Sequence, residues 1–246
     1  MMRSLLWGLA LLALPASAHD LINAETAQAY LAKQLTLRAV TASSDPAPAR
    51  AGAWLELGLM LDEIRELLNR DLESHGKVQG LASSFLMAEL SARGTPLAWS
   101  APHTRFDANL KYYREALRLS TVPAITGEAT FRLLQGWFYD SFTIDPLKPA
   151  TQTPAQLAEQ VKLGETFRQK YPGHAGREEA GFILIIHYIQ SARAAVQPKQ
   201  RAAFSEKARA LAEDFLTTYP DSLRSAAIPP LLERLPPPPH PPPSPP

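Results

Sequence analysis

The sequence predicts an all-α protein assembled from helical hairpins, and three observations carry that prediction. Glycines are sparse, 12 in 246 residues, and Gly76, Gly94 and Gly173 stand where helices should stop. A glycine just past a helix can take the left-handed conformation that closes the last turn. Between the stops run long stretches of Ala, Leu, Glu, Arg and Gln, all good helix formers. Finally, a ten-residue segment recurs further along the chain. Leu163-x-Glu165-x-Phe167-x-x-x-Tyr171-Pro172 returns as Leu211-x-Glu213-x-Phe215-x-x-x-Tyr219-Pro220, 48 residues on, with five of ten positions identical.

Taken from the N-terminus, residues 1–18 read as a secretory leader. Arg3 supplies a positive charge, Leu5 to Leu14 form an apolar run, and Pro15 ends it before Ala16-Ser17-Ala18, a small-residue cleavage site. That run is too short to span a bilayer, which takes roughly 20 apolar residues. Cleavage after Ala18 leaves His19 as the mature N-terminus. The chain has no cysteine, so neither a lipidated cleavage-site Cys nor a disulfide is available. A periplasmic or secreted address is therefore expected. Charge is balanced, with 25 Lys+Arg against 24 Asp+Glu, which offers no electrostatic footprint for nucleic acid.

One domain is expected over residues 19–235. Ser43 to Pro48 separates its first helix from the next, in which Trp54, Leu57, Leu61, Ile64, Leu68 and Leu72 fall on one apolar stripe. On the same helix Asp62, Glu63, Glu66, Asp71 and Glu73 interleave with Arg65 and Arg70, and a solvated face with a Glu66–Arg70 pair explains them. Thr95 to His103 reads as a loop that exposes Trp99, and no segment shows strand alternation. Asp145 to Thr153 is a linker dividing the body into two unequal lobes. Thr153-Pro154 then has the form of an N-cap followed by proline at the first helical position. Phe182 to Ile189 is eight residues long and includes His187 and Tyr188, which suits a buried helix and not a membrane span. From Pro236 the chain is nine prolines with His240 and Ser244, an extended or disordered tail.

Further echoes support duplication. Glu128-Ala129-x-Phe131-x-Leu133 matches Glu179-Ala180-x-Phe182-x-Leu184 at an offset of 51, and Ala51 and Gly58 match Ala129 and Gly136, each pair seven apart. Trp54-x-x-Leu57-Gly58 resembles the first-helix signature of the tetratricopeptide repeat, and Tyr112-Tyr113-x-x-Ala116-Leu117-x-Leu119 resembles its second helix. Phe215-x-x-x-Tyr219-Pro220-Asp221-Ser222 is similar to hairpin junctions of periplasmic tetratricopeptide proteins. The resemblance covers much of residues 47–235, with a 48-to-51-residue spacing longer than the standard repeat. It implies an α-α superhelix of irregular tetratricopeptide-like hairpins with a concave binding face.

Candidate functional residues follow from that picture. The aromatic run Trp137, Phe138, Tyr139 and Phe142 covers more than one face of its helix, so some rings are core. Trp137 and Tyr139, together with Trp99 and Tyr112, are the candidates for gripping a protein or peptide partner. His19 is the candidate metal ligand, because an α-amine and an imidazole on one residue can chelate copper. No other histidine lies at ligand spacing. Neither a Ser/His/Asp order, a nucleophile elbow nor a phosphate-cradling glycine loop is present in the sequence, and no cofactor is expected. The expected function is a non-catalytic adaptor of the cell envelope; the alternative is a small-ligand or copper-binding protein using His19.

Overall fold

The computed structural model describes residues 21–141 and 152–236, apart from the side chains of Trp137, Tyr139, Asp140 and Ser141. The leader, His19 and the proline run beyond Pro236 lie outside the described residues. The described residues form an all-α fold. Nine helices are described: α1 Ala24–Ala42, α2 Ala47–His75, α3 Leu81–Ala92, α4 Lys111–Leu119, α5 Pro123–Ser141, α6 Pro154–Lys170, α7 Arg177–Ala194, α8 Pro198–Thr218 and α9 Ile228–Leu232. Among the described residues, no helix is long and apolar enough to cross a membrane. Two compact units divide between Ala129 and Thr130. The division thus falls inside α5 and not in the 145–153 linker.

The first unit is organised by α2, which packs against α1 and α4. Its N-terminus carries Pro48, and its C-terminus closes on Gly76 at φ 72°, whose N–H donates to Leu72 O at 2.8 Å. The expected stripe forms the core: Leu57, Leu61, Ile64 and Leu68 are buried, joined by Leu31, Leu86 and Leu90 from α1 and α3. Segments that carry the repeat resemblance meet here. Trp54 and Tyr112 lie 5.7 Å apart ring to ring, and α2 approaches α4 so closely at Gly58 that a Cβ there would stand 2.6 Å from the Tyr113 ring.

The polar side of α2 is the expected solvated face only in part: Glu63, Glu66, Arg70 and Glu73 are exposed. Asp62 and Asp71 are both buried. Asp62 accepts from the Tyr113 hydroxyl and sits 3.3 Å from Arg65 Nε. Asp71 accepts from Gln79 N at 2.7 Å and lies 3.2 Å from His75 Nδ1. The reason is tertiary: α4 covers one carboxylate, and the turn after Gly76 folds back over the other. Glu66 approaches Arg65, at 3.6 Å, and not its expected partner Arg70.

Nor is the 95–103 segment wholly a loop. Ala98–Ser100 (β1) and Arg105–Asp107 (β2) form an antiparallel hairpin with Trp99 opposite Phe106. Strands of three residues are too short to show period-two alternation. The hairpin is fastened to α2 by one amide: Asn69 Nδ2 donates to Phe106 O, and Phe106 N donates to Asn69 Oδ1, both at 2.8 Å. Asn69→Ala removes both bonds and should cost about 1–3 kcal/mol. Exchange of the Phe106 amide should accelerate at least about tenfold; an unchanged rate would show that the hairpin is held by other contacts.

The second unit consists of the end of α5 followed by α6–α9. Thr153 caps α6 as expected, in a full capping box in which Thr153 N donates to Gln156 Oε1 at 2.8 Å and Gln156 N to Thr153 Oγ1 at 3.3 Å. α7 packs on α6 and α8, and every residue from Ile183 to Ile189 is buried, as a helix apolar on all sides must be.

The 48-residue repeat is visible in the geometry of its junctions. Tyr171 ends α6 at φ −126°, ψ 56°, and Tyr219 ends α8 at φ −129°, ψ 56°. Tyr171 N donates to Phe167 O at 2.9 Å, and Tyr219 N to Phe215 O at 2.8 Å. Each turn is then braced by a side chain: Gly176 N donates to His174 Nδ1 at 3.0 Å, and Arg224 N donates to Ser222 Oγ at 3.1 Å. Different residues thus perform the same job at the same offset. The second copy ends early, because α9 runs for only five residues beside the 18 of α7. Accordingly Leu157 and Val161, buried on α6, are replaced on α8 by half-buried Ser205 and exposed Arg209.

Candidate functional site

Of the residues singled out from sequence, the structure describes the side chains of Trp99 and Tyr112. Trp99 is exposed at 52% and meets Phe106 edge-on at 5.0 Å. Tyr112 is fully buried; it packs on Trp54, and its hydroxyl has no hydrogen-bond partner among the described residues. It belongs to the core of the first unit and presents nothing to a partner, because α4 turns it onto α2. Trp137 and Tyr139 lie on α5, but their side chains, like His19 and Phe142, are outside the described residues. Among the described residues, no group of three or more His, Cys, Asp or Glu is placed to hold a metal ion.

One Ser/His/Asp juxtaposition does occur, at the β hairpin. Ser100 Oγ lies 3.0 Å from His103 Nδ1, and Asp107 Oδ1 lies 3.6 Å from the same nitrogen. A relay needs the hydroxyl and the carboxylate on opposite ring nitrogens. Here both address Nδ1, so the group braces the turn and does not activate Ser100.

The second unit carries an open groove. It is an open cleft of about 670 Å³ whose walls come from α6 and α8 and whose floor comes from α7. Leu184, Tyr188 and Leu211 supply apolar surface, and Glu165, Arg168, Arg177, Lys207 and Asp214 line it with charge. Two ion pairs join α6 to α8: Arg168 Nη2 to Asp214 Oδ2 at 2.7 Å, and Lys207 Nζ to Glu165 Oε1 at 3.2 Å. At the floor the Tyr188 hydroxyl donates to Glu165 Oε1 and accepts from Lys207 Nζ at 3.3 Å. Arg177 Nη1 donates to Pro172 O at 3.2 Å.

The electrostatics of this triad lock its protons in place. Burial, reinforced by the hydrogen bond to Glu165, pushes the Tyr188 hydroxyl up to about 12. Lys207 is raised by its hydrogen bonds to Tyr188 and Glu165. Burial alone would raise the Glu165 carboxyl, but donation from Tyr188 and Lys207 outweighs it and leaves the group below its ordinary value. None of the three moves toward neutral pH, where general acid–base catalysis needs its groups. The arrangement suits recognition by fixed donors and acceptors.

Sequence reasoning reached only part of this groove. Glu165 and Leu211 belong to the repeated segment, and the repeat is the signal that α6 and α8 occupy equivalent places. Lys207, Asp214 and Arg168 carry no mark of their own. Tyr188 was legible as buried, but not as the residue whose hydroxyl joins two helices. Compared with known family models, curated proteins and solved structures, the chain shows no match.

Proposed function

We propose that this is an exported, tetratricopeptide-like interaction protein that holds a segment of a partner protein in the α6–α8 groove. The observation that carries the reading is the groove itself. Two helices of equivalent sequence stand side by side, their facing charges are paired, and an apolar floor lies between them. An extended segment laid there meets fixed donors and acceptors on both walls and buries an apolar side chain on half-buried Leu211. Export is supported by the charged, apolar and small-residue pattern of residues 1–18, and the adaptor role by the repeated hairpin junctions.

The test is site-specific photocrosslinking in the native envelope, from exposed Gln169 on the groove and from exposed Arg209 on α8 but off it. The expected result is one stoichiometric protein partner captured from position 169 and not from 209. Leu211→Glu, which places a charge on the α8 wall, should reduce that capture at least about tenfold, the effect of roughly 1.4 kcal/mol. Equal capture from both positions, or capture indifferent to Leu211→Glu, would remove the groove from the interface.

A further inference from the structure

We propose that His187 is an acid-operated latch within the second unit, whose protonation opens the packing of α7 against α5 and α6. The imidazole is 1% exposed, and neither Nδ1 nor Nε2 has a hydrogen-bond partner among the described residues. Its ring meets Phe138 of α5 edge-to-face, 6.1 Å between centroids at 61°. An imidazolium placed there would carry two N–H donors with no acceptor and no solvent. Burial of a charge under those conditions is costly enough that the group stays neutral or the structure gives way.

Among the described residues, no charged side chain is buried on the packed faces around α7. The buried side chains of α6 are Leu157, Gln160, Val161 and Phe167, and those of α8 are Ala208, Ala212 and Phe215. α9 contributes Ile228 and Leu231, and α5 contributes Leu134 and Phe138. The ion pairs of these helices lie at the surface, where Glu159, Lys162 and Arg209 are exposed as well. Glu165, Lys207, Arg168 and Asp214 pair with one another along the groove. Glu178 and Glu179 pair with Arg224 at the first turn of α7, and Arg132 bonds Gln135 on α5. Arg193 lies in the last turn of α7, and the side chain of Asp140 is outside the described residues.

The sign of the response follows from burial. Desolvation pushes the His187 pKa down to about 3 in the folded protein, whereas an opened chain has the ordinary value of about 6.5. Between those values the open form binds a proton that the closed form refuses. The latch is therefore fully closed above about pH 6.5, and each unit below it favours opening about tenfold until about pH 3. Leu or Phe would fill the site without this response. Tyr188, the next residue, joins Glu165 to Lys207, so opening α7 also dismantles the groove floor; the latch is nonetheless read out without any partner.

The experiment is hydrogen exchange on the full chain at pH 6.5 and 4.5, corrected for intrinsic rates, with the imidazole followed by NMR. In the wild type, protection of residues 183–192 should fall about 50-fold across that interval, while the folded population keeps a neutral ring. His187→Phe should lose less than about fivefold, with His187→Leu as the second variant should Phe not fit. A ring that protonates near pH 6.5 with protection intact would overturn the latch. So would wild type and variants losing protection in parallel, because the acid response would then come from other groups. Should neither variant fold, the wild-type ring titration decides alone.

Discussion

Phe167→Ala should lower the stability of the second unit by about 3–5 kcal/mol, the range for removing a fully buried aromatic from a core. Phe167 is completely buried and is enclosed by rings: Phe131 at 5.7 Å, Tyr171 at 5.6 Å and His174 at 5.1 Å. Those partners come from α5, from the end of α6 and from the turn before α7, so one side chain ties three pieces of chain together. Phe215, its counterpart 48 residues on, is 3% exposed and packs against Tyr219 at 5.0 Å and Phe182 at 6.4 Å. Phe215→Ala should fall at the lower end of the same range, since α9 covers it for only five residues. Urea unfolding followed by exchange in α7 measures both. A loss below about 1 kcal/mol for Phe167→Ala would show that the ring cluster does not hold the unit together.

Gly58→Ala should destabilise the first unit by about 1–3 kcal/mol, although alanine is the better helix former by roughly 1 kcal/mol. Its new Cβ would stand 2.6 Å from Tyr113 Cε1 and 2.9 Å from Cζ. The ring cannot retreat, because Tyr113 is fully buried and its hydroxyl is bound to Asp62. α2 and α4 must therefore separate, which loosens the long helix on which the unit is built. Gly52, six residues earlier on the same helix, has nothing within 4 Å of an added Cβ; Gly52→Ala should be neutral or stabilising. Thermal unfolding of the two variants side by side makes the comparison. A Gly58→Ala protein as stable as wild type would mean that the Tyr113 ring moves aside freely.

The candidate site shows where sequence reading stops. The repeated Leu-x-Glu-x-Phe segment identified α6 and α8 as equivalent elements, and with them Glu165 and Leu211. Lys207 and Glu165 are 42 positions apart and Asp214 and Arg168 are 46 apart, so nothing local couples them. They meet because α7 packs on both helices and brings them together. Tyr112 shows the opposite failure. An aromatic at a helix start looks available for a partner, yet it is buried because α4 lies flat on α2.

What the sequence by itself determined is the helical class, several of the helix limits and the duplicated junction. These rest on properties carried by a few neighbouring residues: propensity, the Thr153 cap, the left-handed turn at Gly76, and Tyr-Pro at the ends of α6 and α8. Tertiary structure alone decided which polar groups went inside. Asp62 and Asp71 sit on a helix whose local pattern allows either solvent or core. The choice fell to whichever segment packed over them: α4 on Asp62 and the turn after Gly76 on Asp71. Burial is set by the surface that arrives from elsewhere in the chain, and a window of sequence does not contain it.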